Sequence, residues 1–164
     1  KNNLLLAIPS SGLHSNGFSL VRYILKLKKI TNKKLLKNFL IPTKIYVNEV
    51  LKLHSKGLVN GCCNITGGGI IENLPRVLPK NKAVKINLDK IKTLKIFKFI
   101  KQNNISDIEM LKTFNCGVGF CLIINKKNLG KVKKIFPKKF KPYPIGKIID
   151  LQSKKTVLNG KIKF

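Results

Sequence analysis

The chain has 164 residues, 43% of them apolar, and carries a formal net charge of +28 from 34 basic and six acidic residues. That length can bury a real core in one domain. No apolar run approaches the ~20 residues that span a bilayer, and the opening residues lack the basic, apolar and small-residue regions of a secretory signal.

The first residue is Lys1 and an apolar strand follows almost at once, so the chain reads as a fragment or as the second domain of a longer protein. Asn3–Ile8 reads as a short buried strand ended by Pro9. The loop 10–17 follows, with Ser15 or Asn16 placed to cap a helix that runs through LVRYILKLKK. Thr31–Leu40 is a second helical stretch or turn, broken at Pro42. Ile45–His54 reads as an amphipathic helix with Ile45, Val47, Val50, Leu51 and Leu53 on its apolar face, stopped by Gly57.

Leu58–Ile65 is a strand running into three glycines, followed by a short helix around Pro75–Leu78. Ala83–Leu88 is a strand, and Leu94–Gln102 a helix with Ile96, Phe97 and Ile100 inward. Ser106 caps the next helix, with Glu109 at capping-box spacing. Asn115–Ile124 is a strand containing glycines, Asn128–Phe136 a helix, and Tyr143–Asp150 and Thr156–Phe164 are closing strands. Several strands follow one another without a helix between them. The expectation is therefore a mixed α+β fold, one domain over residues 1–164, with no internal repeat.

The cysteines Cys62, Cys63, Cys116 and Cys121 show no CxxC or paired-histidine spacing. Neighbours on a strand face opposite ways, so Cys62 and Cys63 make a poor chelating pair and read as free thiols in a reducing compartment. The lysines are spread along the chain in short clusters, without an RNP-like or zinc-finger pattern. Drift toward AT-rich codons explains abundant Lys, Asn and Ile beside scarce Arg, and most lysines then form a solvated surface. The competing reading is a basic nucleic-acid-binding module, which rests on charge alone.

Two blocks, SSGLHSNGFSLVR and NITGGGIIENLPRVLP, put glycines and small polar residues between a strand and a helical pattern. Such a turn can present backbone amides to an anion. Each block also holds one of only two arginines, Arg22 and Arg76, in a chain with 32 lysines. In the first, Ser10, Ser11, Ser15 and Asn16 could meet phosphate or ribose oxygens, and His14 could carry a proton. The competing reading is a capped helix with an exposed histidine. In the second, Glu72 and Asn73 offer an acceptor and an amide, while Arg76 adds a bidentate fork. Here the alternative is a surface pair, Glu72 with Arg76, worth little. A third segment, TFNCGVG, places Asn115 at a strand start, and close strand packing is its plain explanation. His54 reads as a solvated residue at a helix end.

Taken in order, SSGLHSNGFSLVR, PTKIYV, NITGGGIIENLPRVLP and TFNCGVG resemble the aminoimidazole ribonucleotide synthetase family, also called phosphoribosylformylglycinamidine cyclo-ligase, of purine biosynthesis. The resemblance covers essentially the whole chain and corresponds to that enzyme's C-terminal domain. Selenophosphate synthetase and thiamine-phosphate kinase share the two-domain plan but lack the HSNG and ENLPR pairing. The resemblance implies an α+β domain with helices packed on a mixed sheet, forming the substrate side of a cytoplasmic, homodimeric ligase. An N-terminal domain absent from this chain would contribute most of the ATP and Mg²⁺ site. The implied reaction is a ring closure in which ATP activates the formamide oxygen of formylglycinamidine ribonucleotide, and an internal nitrogen then attacks. By the same analogy Ser11, Ser15, Asn16, Gly67, Gly68, Gly69, Glu72, Asn73, Arg76 and Asn115 face the cleft as substrate-binding residues, with His14 as proton carrier.

The sequence departs from the family pattern at two places. Asn64 stands where HITGGG has its histidine, and Lys44 where PTRIYV has its arginine. Asn64 can hydrogen-bond but cannot titrate, so an inactive remnant of the ligase is a third reading.

Overall fold

The computed structural model describes residues 3–164. Six strands form one sheet: β1 (Asn3–Pro9), β2 (Gly61–Asn64), β3 (Lys82–Asn87), β4 (Val118–Asn125), β5 (Tyr143–Asp150) and β6 (Thr156–Asn159). Their spatial order is β2-β4-β1-β5-β3-β6, and every neighbouring pair is antiparallel except β3 with β6. The mixed α+β reading holds. Three strands are shorter than the sequence suggests, since β2 starts at Gly61 instead of Leu58, β4 starts at Val118 instead of Asn115, and β6 ends at Asn159 short of Phe164.

β1 is central because its run LLLAI is apolar at every position, the pattern of a strand covered on both faces. Period-two alternation sends Leu5 and Ala7 to one face and Leu6 and Ile8 to the other. Each fully buried leucine there contributes about 1.5–3 kcal/mol. On the first face lie α1 (Phe18–Leu27), α2 (Lys33–Phe39), α4 (Gly69–Asn73), α5 (Lys95–Lys101) and α6 (Asp107–Thr113), through Val21, Phe39, Ile70, Phe97 and Leu111. On the second lie α3 (Val47–Ser55) and α7 (Leu129–Ile135), through Leu53 and Val132.

Two local readings change. Gly17 is the N-cap of α1, at φ 79, and no side chain caps that helix, so Ser15 and Asn16 do not have that task. The left-handed turn at Gly17 lays the chain on the Phe114 ring, which a side chain there would strike. α3 also buries less of its apolar face than expected. Leu53 is covered and Val50 half-covered, but Val47 and Leu51 are exposed, and Ile45, also exposed, lies before the helix, which starts at Val47. Ser106 does cap α6 by accepting from the Glu109 amide, and Cys62 and Cys63 do fall on opposite faces.

The register places three strand ends together. Asn64 faces Phe120 and Pro9 faces Val118, so the loops 10–17, 65–69 and 114–117 emerge from one end of the sheet.

Candidate functional site: two loops at one sheet end

The first loop is held from below by Asn115. Its buried amide donates to the carbonyls of Gly12 (2.9 Å) and Leu13 (3.0 Å), and its Oδ1 accepts from the Gly117 amide (2.8 Å). Ser11 is also engaged. Its hydroxyl donates to Pro42 O at 2.7 Å and accepts from the Lys44 amide at 3.0 Å. Ser15 is exposed and Asn16 half-exposed, so both remain open to a ligand.

His14 is 5% exposed, which excludes the surface histidine of the alternative reading. Its Nε2 accepts from the Ser11 amide at 3.2 Å, so the neutral ring carries its proton on Nδ1. Nδ1 has no hydrogen-bond partner among the described residues, nor has the buried Ser10 hydroxyl. Burial disfavours the imidazolium and lowers the His14 pKa below its ordinary 6.5. The backbone at His14 is left-handed, φ 60, a conformation costing about 1–3 kcal/mol for such a residue. The side chain is therefore a neutral donor, held at a conformational cost.

The second loop is a turn closed by the Gly69 amide donating to Thr66 O at 3.0 Å. Gly68 and Gly69 are left-handed, at φ 89 and 58, and a side chain on Gly69 would run into the Leu111 carbonyl at the end of α6. Buried Asn73 braces the turn. Its amide donates to Gly67 O (3.0 Å) and Gly69 O (2.7 Å), while its Oδ1 accepts from the Thr66 hydroxyl (3.0 Å). Asn73 and Asn115 thus shape the loops from inside.

The Gly67 and Gly68 amides donate to no acceptor among the described residues, whereas that of Gly69 is taken by the turn. Glu72 folds back so that its Oε2 lies 2.5 Å from where a Gly68 Cβ would be. Glu72 and Arg76 are both exposed, and among the described residues they form no ion pair with each other. The paired-surface alternative is not what these side chains adopt.

The loops touch. Asn16 Oδ1 lies 3.4 Å from the Cβ position of Gly67, and the Ile65 amide donates to Gly119 O at 3.1 Å, next to His14. Free amides, a carboxylate acceptor and a buried imidazole donor therefore lie on loops that leave one end of the sheet, while Arg76 is exposed a turn beyond Asn73. Asn64 stands aside, lining a cavity of about 380 Å³ with Thr43, Lys44, Tyr46, Val50 and Phe120. Lys44 pairs with Glu49 at 3.0 Å and lies over the Tyr46 and Phe140 rings. His54 is exposed on α3, on the sheet's second face.

Sequence reasoning missed Tyr46, which lies in the quoted PTKIYV block, so proximity to a motif was the available signal. Gly119, the last residue of TFNCGVG, is a site of close packing, against Tyr46 and His14. The thiols are pushed toward the neutral form by burial, Cys63 up to about 11 and Cys121 well above the ordinary thiol value. No group of three or more His, Cys, Asp or Glu among the described residues could hold a metal. No helix among them is long and apolar enough to cross a membrane.

A mixed sheet layered with helices, carrying a triple-glycine turn beside an HSNG loop, defines an α+β domain with two glycine-bearing loops at one sheet end. The chain belongs to the family described as AIR synthase related protein, C-terminal domain, whose model matches residues 1–159. It is 40% identical to a phosphoribosylformylglycinamidine cyclo-ligase of Enterococcus faecalis, and 39% identical to one of Streptococcus gordonii. Each match covers 96% of this chain and 48% of the relative, so the chain spans about half the length of these relatives.

The fold is similar to PurLQS from Thermotoga maritima, with a TM-score of 0.58 at 13% identity over 98% of this chain and 24% of that one. It is also similar to thiamine monophosphate kinase from Aquifex aeolicus, with a TM-score of 0.57 at 14% identity over 99% and 51%.

Proposed function

We propose that the chain is the substrate-side C-terminal domain, 1–164, of an ATP-dependent cyclo-ligase that converts formylglycinamidine ribonucleotide to aminoimidazole ribonucleotide. The closeness of Asn16 to Gly67 carries this reading, because it sets the two loops side by side. The free amides of Gly67 and Gly68 and the Arg76 guanidinium bind the substrate phosphate. Glu72 accepts from ribose hydroxyls, and Ser15 and Asn16 complete the polar wall. Asn73, Asn115 and Ser11 keep the loops in shape. His14 holds a proton at Nδ1 and donates it as a hydrogen bond to a substrate oxygen.

ATP, when bound, supplies the phosphoryl group that makes the formamide oxygen a leaving group. Glu72 is the one carboxylate that the described residues bring against the glycine turn, and such a donor set does not fit Mg²⁺. In this reading the metal and most of the ATP site belong to an N-terminal domain like the other half of the relatives, within a cytoplasmic homodimer.

The test is a chimera joining this chain to the N-terminal half of the Enterococcus faecalis relative. It should restore growth without purines to a cell lacking the cyclo-ligase. Failure to do so, with the chimera folded and the relative's own full-length enzyme rescuing, would overturn the proposal.

A further inference from the structure

We infer that Tyr46, seated over the gap left by Gly119, is a positioning residue that fixes the His14 imidazole in one orientation and one tautomer. It rests on the cyclo-ligase reading only for the use made of His14.

The segment 42–46 approaches the first loop and grips it on both sides of Ser10. The Tyr46 hydroxyl donates to Pro9 O at 2.8 Å, while Ser11 Oγ is held between Pro42 O and the Lys44 amide. These contacts set the direction of the Ser11 amide, and that amide donates to His14 Nε2 at 3.2 Å. An N–H aimed at Nε2 requires a bare nitrogen there, so the proton of the neutral ring sits on Nδ1.

The rings of Tyr46 and His14 lie 6.3 Å apart, tilted by 53°. Gly119 makes this approach possible. A Cβ on it would collide with the Tyr46 hydroxyl and lie 2.6 Å from His14 Cε1. Phe120 also packs on Tyr46, with centroids 5.3 Å apart and the rings tilted by 42°, which restrains the phenol. A left-handed non-glycine residue such as His14 persists only where its surroundings hold it. The result is a ring whose Nε2 is occupied by the protein and whose Nδ1–H is buried without a hydrogen-bond partner among the described residues.

The experiment uses the 164-residue chain with ¹⁵N-labelled histidine, read by NMR. The unaltered chain should show His14 with a bare Nε2 and a protonated Nδ1. Tyr46→Phe removes the bond to Pro9 and should give a mixture of both tautomers. A single Nδ1–H tautomer in folded Tyr46→Phe overturns the inference. Gly119→Ala should disturb the same ring, and the double variant Tyr46→Phe with Gly119→Ala relieves the closest clash and should recover folding while keeping mixed tautomers. A folded double variant with the original tautomer also counts against it, and if neither alanine variant folds, Tyr46→Phe decides alone.

In the chimera, Tyr46→Phe should lower kcat about tenfold with KM nearly unchanged, as expected when a hydrogen bond that aligns a catalytic donor is lost. An inactive chimera built on the unaltered chain refutes the cyclo-ligase reading and leaves the tautomer result standing. An active chimera whose Tyr46→Phe form retains one tautomer refutes the positioning role.

Discussion

At the scale of the residue, Asn115 and Arg76 separate what holds the site from what a ligand touches. Asn115→Ala leaves two carbonyls and one amide without partners inside the protein. The expected loss is about 2–4 kcal/mol, read by urea denaturation. Arg76 is exposed, and Arg76→Lys should change stability by less than about 0.5 kcal/mol. It should nonetheless weaken binding of the ribonucleotide, because lysine cannot offer a bidentate fork. Equal binding by calorimetry would remove Arg76 from the site. His14 gives a pH dependence of definite sign. Burial lowers its pKa below 6.5, so below that value the unfolded chain takes up a proton that the folded chain still refuses. Stability present above pH 6.5 is lost as the pH falls through the folded value. His14→Gln should abolish this part of the loss in denaturation curves recorded at pH 7 and pH 5.5.

At the scale of the element, the glycine turn and α4 act as one piece against α6. Gly69→Ala places a side chain on the Leu111 carbonyl at a left-handed position, and about 3 kcal/mol of stability should go. Gly67→Ala meets only Asn16 Oδ1 at 3.4 Å, so it should fold normally and show its effect in ligand affinity. Thermal melts of the two variants distinguish a structural glycine from a ligand-facing one. Local pattern was enough to find the turn, since three glycines before a helical segment need a backbone reason. It could not show which glycine is pinned, because the Leu111 carbonyl comes from another element. The same limit applies to Tyr46 and Gly119, which meet across the sheet. Capping went wrong at Ser15 and Asn16 because residue type alone suggested a cap, and the left-handed Gly17 reset the helix entry. Periodicity found α3, yet an apolar stripe does not state whether the core covers it, and Leu51 remains 60% exposed.

At the scale of the molecule, the dominant fact is a charge of +28. Among the described residues, three of the six acids pair with lysines: Glu49 with Lys44, Asp107 with Lys101, and Asp150 with Lys82. The other lysines form a surface of one sign, which repels itself and opposes the compact state. Such pairs contribute about 0–1 kcal/mol each at the surface, so repulsion outweighs them. Salt shortens the Debye length from ~30 Å at 0.01 M to ~10 Å at 0.1 M, which screens the long-range repulsion first. Raising sodium chloride from about 0.01 to 0.3 M should therefore raise Tm, by roughly 2–4 °C for each kcal/mol of repulsion relieved in a chain of this size. Sodium sulfate is unsuitable for this test because its exclusion from protein surfaces stabilises folded states generally. A Tm that falls with sodium chloride would mean that the ion pairs dominate, contrary to their small number and partial exposure. The same field attracts any polyanion without selecting a sequence, so salt-sensitive DNA binding by this chain should disappear as screening increases while ribonucleotide binding at the glycine turn persists. Measuring both across one salt series separates a diffuse lysine surface from a built site.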